Sequence, residues 1–308
     1  MSGRITVIGS ANVDYIIQLP RLPQKGESVS GGPFSQAFGG KGSNQAMAAW
    51  RAGADVSAVF NLGGDANARE LLETYQGEGL DVTQVAINPG AVCGVGIILV
   101  DVNGDNAIAT YPGANAGLSA ERIANAEDSI AGSALIMLQM EIPDEAIEKA
   151  IETAVRHGIG VMLNFAPARP SSICLDSRVS ILVVNETEAE TLSGLPATTP
   201  ETAAKAAEKL AENGHRQVIV TLGAKGVVLR EDGRTLHVPA FAVAAVDATA
   251  AGDAFCGALA AALVEGRSMP EALTFASAAG ALCAGRMGAL PSLPRRGEIE
   301  AFLAERTG

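Results

Sequence analysis

The stretch "ALIMLQM", Ala134 to Met140, decides the fold. From Leu135 to Met140 apolar side chains fall at both odd and even positions. A strand built this way offers apolar groups to both faces of its sheet, the mark of a mostly parallel sheet wrapped by helices. "VIVTL", Val218 to Leu222, has the same character. Outward from these runs, strand-like and helix-like segments alternate. "ITVIG" (5–9), "VSAVFNLG" (56–63), "GVMLNF" (160–165), "ILVVN" (181–185) and "QVIVTLG" (217–223) read as strands. "GSNQAMAAWRAGA" (42–54), "DANARELLETYQGEG" (65–79), "DEAIEKAIETAVRHG" (144–158) and "ETAAKAAEKLAENG" (201–214) read as helices. The C-terminal third is helical, over "GDAFCGALAAALVEG" (252–266), "PEALTFASAAGALCAGRMG" (270–288) and "GEIEAFLAER" (297–306), and its Ala and Gly content permits close packing.

Two segments break the alternation. "NVDYIIQLPRLPQKGESVSGGPFSQAF" (Asn12 to Phe38) is rich in Pro and Gly, and "CGVGIILVDVNGDNAIATY" (Cys93 to Tyr111) is two strand runs around an "NGD" hairpin signal. Both read as excursions forming a small β flap over one end of the sheet. An ordinary antiparallel sheet edge is the alternative. With no repeat, low-complexity tract or linker, the 308 residues read as one compound domain, 1–308.

Bulk properties narrow the function. The net charge of −12, from 22 Lys+Arg against 34 Asp+Glu, argues against a nucleic-acid partner. No window approaches the ~18–20 unbroken apolar residues of a membrane span, and the N-terminal apolar run is too short for a signal peptide. The expectation is a soluble cytoplasmic protein with no membrane partner. The cysteines, Cys93, Cys174, Cys256 and Cys283, form no CxxC pair and read as reduced, mostly buried thiols rather than a zinc site. His157, His215 and His237 form no HExxH, and none is expected to be a ligand or a base. GxxxxGK[ST], a strand-linked GxGxxG and GxSxG are missing, which disfavours a P-loop enzyme, a dinucleotide-binding dehydrogenase and a nucleophile-elbow hydrolase.

"VDATAAGDAF" (Val246 to Phe255) places Ala250, Ala251, Gly252 and Asp253 at a helix start. Free N–H groups and the positive end of the helix dipole make such a place an anion site, and small side chains let a phosphate rest on the backbone. On spacing alone Asp253 is most simply a helix cap. It could instead take a proton from a substrate hydroxyl while the N–H groups stabilise developing charge. "AFGGKGSNQAMAA" (Ala37 to Ala49) also runs from a Gly-rich turn, with Gly39, Gly40 and Gly42, into a helix, and Lys41 and Asn44 offer donors. In "GSANVD", Asn12 and Asp14 share a face of an extended stretch and suit a vicinal diol, or form an Asx turn. Glu141 follows a buried strand, where ligands bind in open α/β sheets. "VVNETEAE" carries Asn185, Glu186 and Glu188, and could be no more than an acidic helix start.

Together "GSANVD", "FGGKGSNQA", "GAN", "NETEAE", "TLGAKG" and "DATAAGDAF", in this order, resemble the ribokinase (PfkB-type) family of carbohydrate kinases, over about Ile5 to Phe302. The resemblance implies a three-layer α/β/α, Rossmann-like core with a mostly parallel sheet and a β lid inserted as two segments, about 12–38 and 93–112. It implies ATP-dependent phosphorylation of a sugar's primary hydroxyl, with D-ribose first. Deoxyribose, fructose, ketodeoxygluconate and nucleoside kinases of the family, or a non-catalytic sugar sensor, are the alternatives. By resemblance Asp253 is the catalytic base, and the N–H groups of Ala250, Ala251, Gly252 and Asp253 form the anion hole. Asn12, Asp14, Gly40, Lys41, Asn44 and Glu141 match sugar-binding positions. Asn185 and Glu188 match the NxxE that organises Mg²⁺ and phosphates through waters. Thr221, Gly223 and Gly226 match the nucleotide loop and Ser277 an adenine contact. Asp247, Thr249, Cys283, Arg286, Gly288 and Ser292 match a monovalent cation site suited to K⁺, largely through carbonyls. The lid implies a homodimer. Ala248 stands where the family has Thr or Ser, and Thr110 and Tyr111 stand where ribokinases mostly have aliphatic residues.

Overall fold

The computed structural model describes residues 3–103 and 105–307. Gly104, the middle residue of the "NGD" hairpin signal, lies outside the described residues. From the N-terminus come β1 (Arg4–Ile8), β2 (Asn12–Leu19), β3 (Phe34–Gly39), α1 (Lys41–Arg51), β4 (Asp55–Val59), β5 (Asn61–Gly63), α2 (Ala66–Glu78), β6 (Ala86–Asn88), β7 (Gly94–Asp101) and β8 (Asn106–Tyr111). They are followed by α3 (Ala120–Asn125), α4 (Glu127–Ala131), β9 (Leu135–Gln139), α5 (Asp144–Arg156), β10 (Gly160–Asn164), β11 (Ile181–Asn185), α6 (Glu186–Ser193) and α7 (Pro200–Ala211). The chain ends with β12 (Gln217–Thr221), β13 (Val227–Glu231), β14 (Arg234–Val238), α8 (Ala251–Glu265), α9 (Met269–Ala284) and α10 (Arg296–Thr307).

Among the described residues the main sheet has eight strands in the order β14-β13-β12-β11-β10-β9-β1-β4. β4, β1, β9, β10, β11 and β12 run parallel; β13 pairs antiparallel to β12, and β14 antiparallel to β13. The opening stretch behaves as its pattern requires. Leu135 and Met137 pack into a core with α1, α8 and α9, whereas Ile136 and Leu138 pack into a second core with α5 and α7 on the other face. The helices start and stop where local chemistry says they should. Thr199 and Thr202 form a capping box across Pro200, the first residue of α7, and Gly79 closes α2 in the left-handed region at φ 88°.

The two excursions pair with one another in a separate sheet, β3-β2-β7-β8. β2 with β3 and β7 with β8 are antiparallel, and a parallel β2–β7 pairing joins the two hairpins. The flap reading therefore holds over a simple antiparallel edge. One strand expectation is corrected. "VSAVFNLG" is not continuous: β4 ends at Val59, and β5 leaves the main sheet to pair with β6. β4 is the sheet's edge strand, so beyond Val59 the backbone groups find partners elsewhere.

The layout places the carboxyl ends of β1, β9, β10, β11 and β12 beside the starts of α1, α6 and α8, with the small sheet growing from the end of β1. That is the crevice where open α/β sheets bind ligands. Among the described residues no helix is long and apolar enough to cross a membrane.

Candidate active site

Asp253 lies in the first turn of α8 and is buried. Its Oδ2 accepts a hydrogen bond from Asn44 Nδ2 at 2.9 Å, and its Oδ1 accepts one from Gln45 Nε2 at 2.9 Å. Burial raises the Asp253 pKa above the ordinary carboxylate range; Lys41 and the two amides oppose the rise, and Glu141 adds to it. Lys41, the first residue of α1, balances the other way. Burial would lower its ammonium, but the carboxylates of Asp253, Glu141 and Glu188 outweigh burial and hold it above its usual value. It therefore stays charged at neutral pH.

The chain enters α8 through Ala250, which adopts φ 61°, a left-handed conformation that strains any residue with a Cβ. The bend aims the helix start at the cleft. The anion hole expected from the sequence is only partly free: the Ala251 N–H donates to the Ala248 carbonyl at 3.2 Å. Gly252 and Asp253, at the helix N-terminus, have no helical carbonyl to take their N–H groups. A Cβ added at Gly252 would meet nothing within 4 Å, so the backbone there faces open space.

On the other wall, Asn12 and Asp14 do share a face of β2. Cross-strand glycines make room for them. A Cβ at Gly94 would stand 2.1 Å from Asn12 Oδ1, and one at Gly96 would stand 2.3 Å from Asp14 Oδ1. Gly39 is under the same constraint, at 2.0 Å from Asp14 Oδ2. Asn12 is oriented by Asn115, whose Nδ2 donates to Asn12 Oδ1 at 2.7 Å while its Oδ1 accepts the Ala11 N–H. Burial and then the Glu141 charge push Asp14 up to about 6. Gly40, at φ 88°, makes the turn from β3 into α1. Glu141 Oε2 accepts the Lys41 backbone N–H at 2.9 Å and the Ser10 hydroxyl, which ties the end of β9 to the start of α1. Asn44 Oδ1 is buried with no hydrogen-bond partner in the protein. Leaving such an atom unpaired costs about 1–3 kcal/mol, so a hydrogen-bond donor on a bound molecule would be favoured here.

Asn185 and Glu188 form a reciprocal capping box at the start of α6, with Asn185 N–H to Glu188 Oε2 at 2.8 Å and Glu188 N–H to Asn185 Oδ1 at 2.9 Å. The helix-start reading and the site reading both hold, because the same residues also line a cleft of about 220 Å³ with Lys41, Asn164, Thr221 and Asp253. Burial raises the Glu188 pKa against the Asn185 N–H and Lys41. Gly223 and Gly226 form the β12–β13 turn just beyond Thr221 but do not line that cleft. Gly226, at φ 93°, is forced, since a Cβ there would lie 2.1 Å from the Val238 carbonyl. Ser277 is not part of the cleft lining either. It sits one turn before Gly280, where a Cβ would approach the Ala251 carbonyl to 3.2 Å, so α9 backs the start of α8.

The proposed cation residues converge behind that start. Asp247 accepts the N–H groups of Thr249 and Gly288, each at 2.9 Å. Burial would raise its pKa, but these bonds hold it below the usual range, so it remains a carboxylate. The Cys283 thiol lies 3.0 Å from Ser292 Oγ and 3.6 Å from the Thr249 carbonyl. The Arg286 side chain is paired with Glu298, which leaves only its backbone for the site. An ionised carboxylate among carbonyls fits a hard cation.

Sequence reasoning missed Ser10, Gln45, Asn115, Gln139 and Asn164. Gln45 and Asn115 lay inside the quoted motifs "FGGKGSNQA" and "GAN". Asn164 ends a strand at the cleft, and Gln139 is a polar residue in an otherwise apolar buried run. The histidines play no part in the site. His215 and His237 bond backbone carbonyls, and His157 pairs with Glu127.

With this geometry in place, comparison with known proteins is direct. The profile of the pfkB family carbohydrate kinases matches residues 2–296. A ribokinase from Haemophilus influenzae is 38% identical over 303 residues, covering 98% of this chain and 99% of the relative. A deoxyribokinase from Salmonella typhi is 38% identical over 257 residues, covering 83% and 84%. The structure of Arabidopsis thaliana ribokinase complexed with ribose and ATP superposes with a TM-score of 0.90 at 33% identity, over 98% of this chain and 99% of that one. The chain belongs to the pfkB family of carbohydrate kinases, and its chemistry is phosphoryl transfer to an alcohol group of a sugar.

Proposed function

We propose that the protein is an ATP-dependent ribokinase, converting D-ribose and ATP to ribose 5-phosphate and ADP. The observation that carries the reading is the placement of Asp253: buried, with both oxygens held by amides, beside Lys41 and next to the two free N–H groups that open α8. The relatives named for ribose, and the solved complex with ribose and ATP, support the substrate pair. Asn12, Asp14, Gly40, Lys41, Asn44 and Glu141 would hold the sugar, with the unpaired Asn44 Oδ1 accepting from a hydroxyl. Asp253 would take the proton of the primary hydroxyl as its oxygen bonds the γ-phosphorus and the bond to ADP breaks. Lys41 and the N–H groups of Ala250, Gly252 and Asp253, joined by that of Ala251 if it leaves Ala248, would stabilise the transferring charge. Thr221, Gly223, Gly226 and Ser277 would flank the nucleotide.

Asn185 and Glu188 fit Mg²⁺ held through waters, since only one Glu188 oxygen is taken by the cap; the ion, when bound, neutralises phosphate charge. Asp247 with the backbone of Thr249, Cys283, Arg286 and Gly288, and Ser292, would hold K⁺. We read the small sheet as a lid over the sugar within one compound domain, 1–308. Its other face supports a homodimer through the lid. Phe34, Ile97 and Tyr111 are exposed there, with Tyr15 stacked on Phe34 at 6.0 Å. A cytoplasmic location goes with this reading.

One observation favours a second substrate. Thr110 on β8 is registered opposite Gly96, which is opposite Asp14, so a hydroxyl stands on the sugar face of the lid. The relative named deoxyribokinase makes 2-deoxyribose the competing substrate. The test is ADP release with Mg-ATP and K⁺ against ribose, 2-deoxyribose, fructose, ketodeoxygluconate and adenosine, with Asp253→Asn as the blank. Preference for ribose upholds the reading. Preference for another sugar moves the specificity to Thr110 and the lid, and binding without turnover on any of them leaves a sugar sensor.

A further inference from the structure

We infer that Gln139, buried at the carboxyl end of β9, is a positioning residue for the base, acting through Gln45. The inference rests on the reading of Asp253 as that base. Gln139 is the one polar side chain of β9, and it is fully buried. Its Nε2 donates to Gln45 Oε1 at 2.7 Å. Gln45 Nε2 in turn donates to Asp253 Oδ1 at 2.9 Å and to Asn164 Oδ1 at 3.0 Å. Asn164 donates its own Nδ2 to the Val183 carbonyl at 3.3 Å, so its oxygen is the end that faces Gln45.

An amide side chain can be turned over at almost no steric cost, exchanging its donor for its acceptor. Gln45 would serve Asp253 in one orientation and repel it in the other. The donor from Gln139 removes the second orientation, because it requires the Gln45 oxygen to face β9 and hence the nitrogen to face Asp253. The Gln139 Oε1 is buried without a hydrogen-bond partner and packs against the bare Cα of Gly9, where a Cβ would stand 2.1 Å away. An unpaired buried oxygen is costly, and the arrangement keeps it while the Nε2 bond to Gln45 is made. An apolar side chain at 139 would satisfy the core better. The polar one has a use if it holds the amide that holds the base.

Amide donors favour the ionised form of the carboxylate they reach. Losing the Gln45 donor would therefore raise the pKa of the base and turn its lone pair away from the hydroxyl. The charged and titratable groups around Asp253 are Lys41, Glu141, Glu188 and Cys256, and all stay unaltered in the variants below.

The test is the pH profile of kcat at saturating sugar and ATP, with the sugar KM and the melting temperature measured alongside. Gln139→Met keeps the length and volume and removes the donor. It should lower kcat at neutral pH by roughly tenfold, the worth of one charge-assisted hydrogen bond, move the acid limb upward, and leave the sugar KM within about twofold. Gln139→Leu, which also lacks the donor and adds no charge, serves if the first fails to fold and should move the limb the same way. A lowered melting temperature with kcat and the acid limb unmoved overturns the proposal and leaves Gln139 a packing residue. Asp253→Asn in the parent separates the two readings. If it keeps turnover, the base assignment falls and the relay with it. If it is inactive while the Gln139 variants have normal profiles, only the relay falls.

Discussion

Two carboxylates of the site, Asp253 and Asp14, are built in opposite ways. Asp253 sits on the α-helical side, where the protein supplies its partners: two amide donors, a lysine ammonium and a second layer of amides behind them. Asp14 sits on the small sheet in a slot made by missing Cβ atoms at Gly39 and Gly96, and among the described residues no donor reaches it. The first group is preorganised before any ligand arrives, which is what a base needs if reaction is not to wait on rearrangement. The second is left hungry, and its hydrogen bonds come from a bound hydroxyl. The difference divides rate from recognition: the helical wall should govern kcat and the small sheet should govern KM.

The sharpest break of that division is Asp253→Asn. It should cut kcat by about 10²–10⁴-fold, while calorimetry finds sugar and nucleotide binding little changed. A lost binding signal would mean that Asp253 recognises rather than reacts. Next in size is Gly96→Ala. The added Cβ would lie 2.3 Å from Asp14 Oδ1, so the carboxylate must move. Overpacking of this kind costs about 1–3 kcal/mol, and steady-state kinetics should place it as a roughly 5–100-fold rise in sugar KM with a smaller change in kcat.

Asp14 itself gives the pH signature. Its folded pKa of about 6 lies above the ordinary 3.8, so between these values the folded state binds more protons than the unfolded state. Stability therefore falls as pH rises through that window, and the whole penalty is present above pH 6. Asp14→Asn should stabilise the fold by about 1–3 kcal/mol above that pH, with the gain vanishing below pH 4 and the sugar KM raised throughout. Thermal melts at both ends of the range check it, and a constant gain would assign the effect to something other than titration. The smallest effect tests the helical wall. Ala250→Gly relieves the φ of 61° at the start of α8 and should raise stability by about 0.5–1 kcal/mol, or about 1–3 °C in melting temperature, with kcat near the parent value.

How much of this was legible differs by element. The six parallel strands announced themselves because burial on both faces demands apolar runs, and the helices because their caps are local chemistry. The split of "VSAVFNLG" into β4 and β5 was not legible, since both halves are apolar and only the absence of a neighbour beyond Val59 separates them. β14 went unassigned as a short edge strand with exposed positions, and β13, though buried over Val227 to Leu229, went unassigned with it. In the site, Asp253, Lys41 and Asn12 stood out as polar groups among small residues at turns. Gln45 and Gln139 did not, because an amide in a buried helix or strand looks like a packing fault until its partner is known.

The sequence by itself determined the alternating α/β order, the two β excursions, the glycines that must admit something close, and the family. Those features are periodic or local, and a residue's neighbours in the chain suffice to impose them. The tertiary structure alone decided which groups meet. It brought Gln45 to Asp253 across 208 positions of chain and Gln139 to Gln45 across 94, put Glu141 on the helix start of Lys41 across 100, and turned the glycines of β3 and β7 into the slot for Asp14. No local rule encodes such pairings, because a hydrogen bond depends on where two donors and acceptors end in space, and that is settled by how the layers pack.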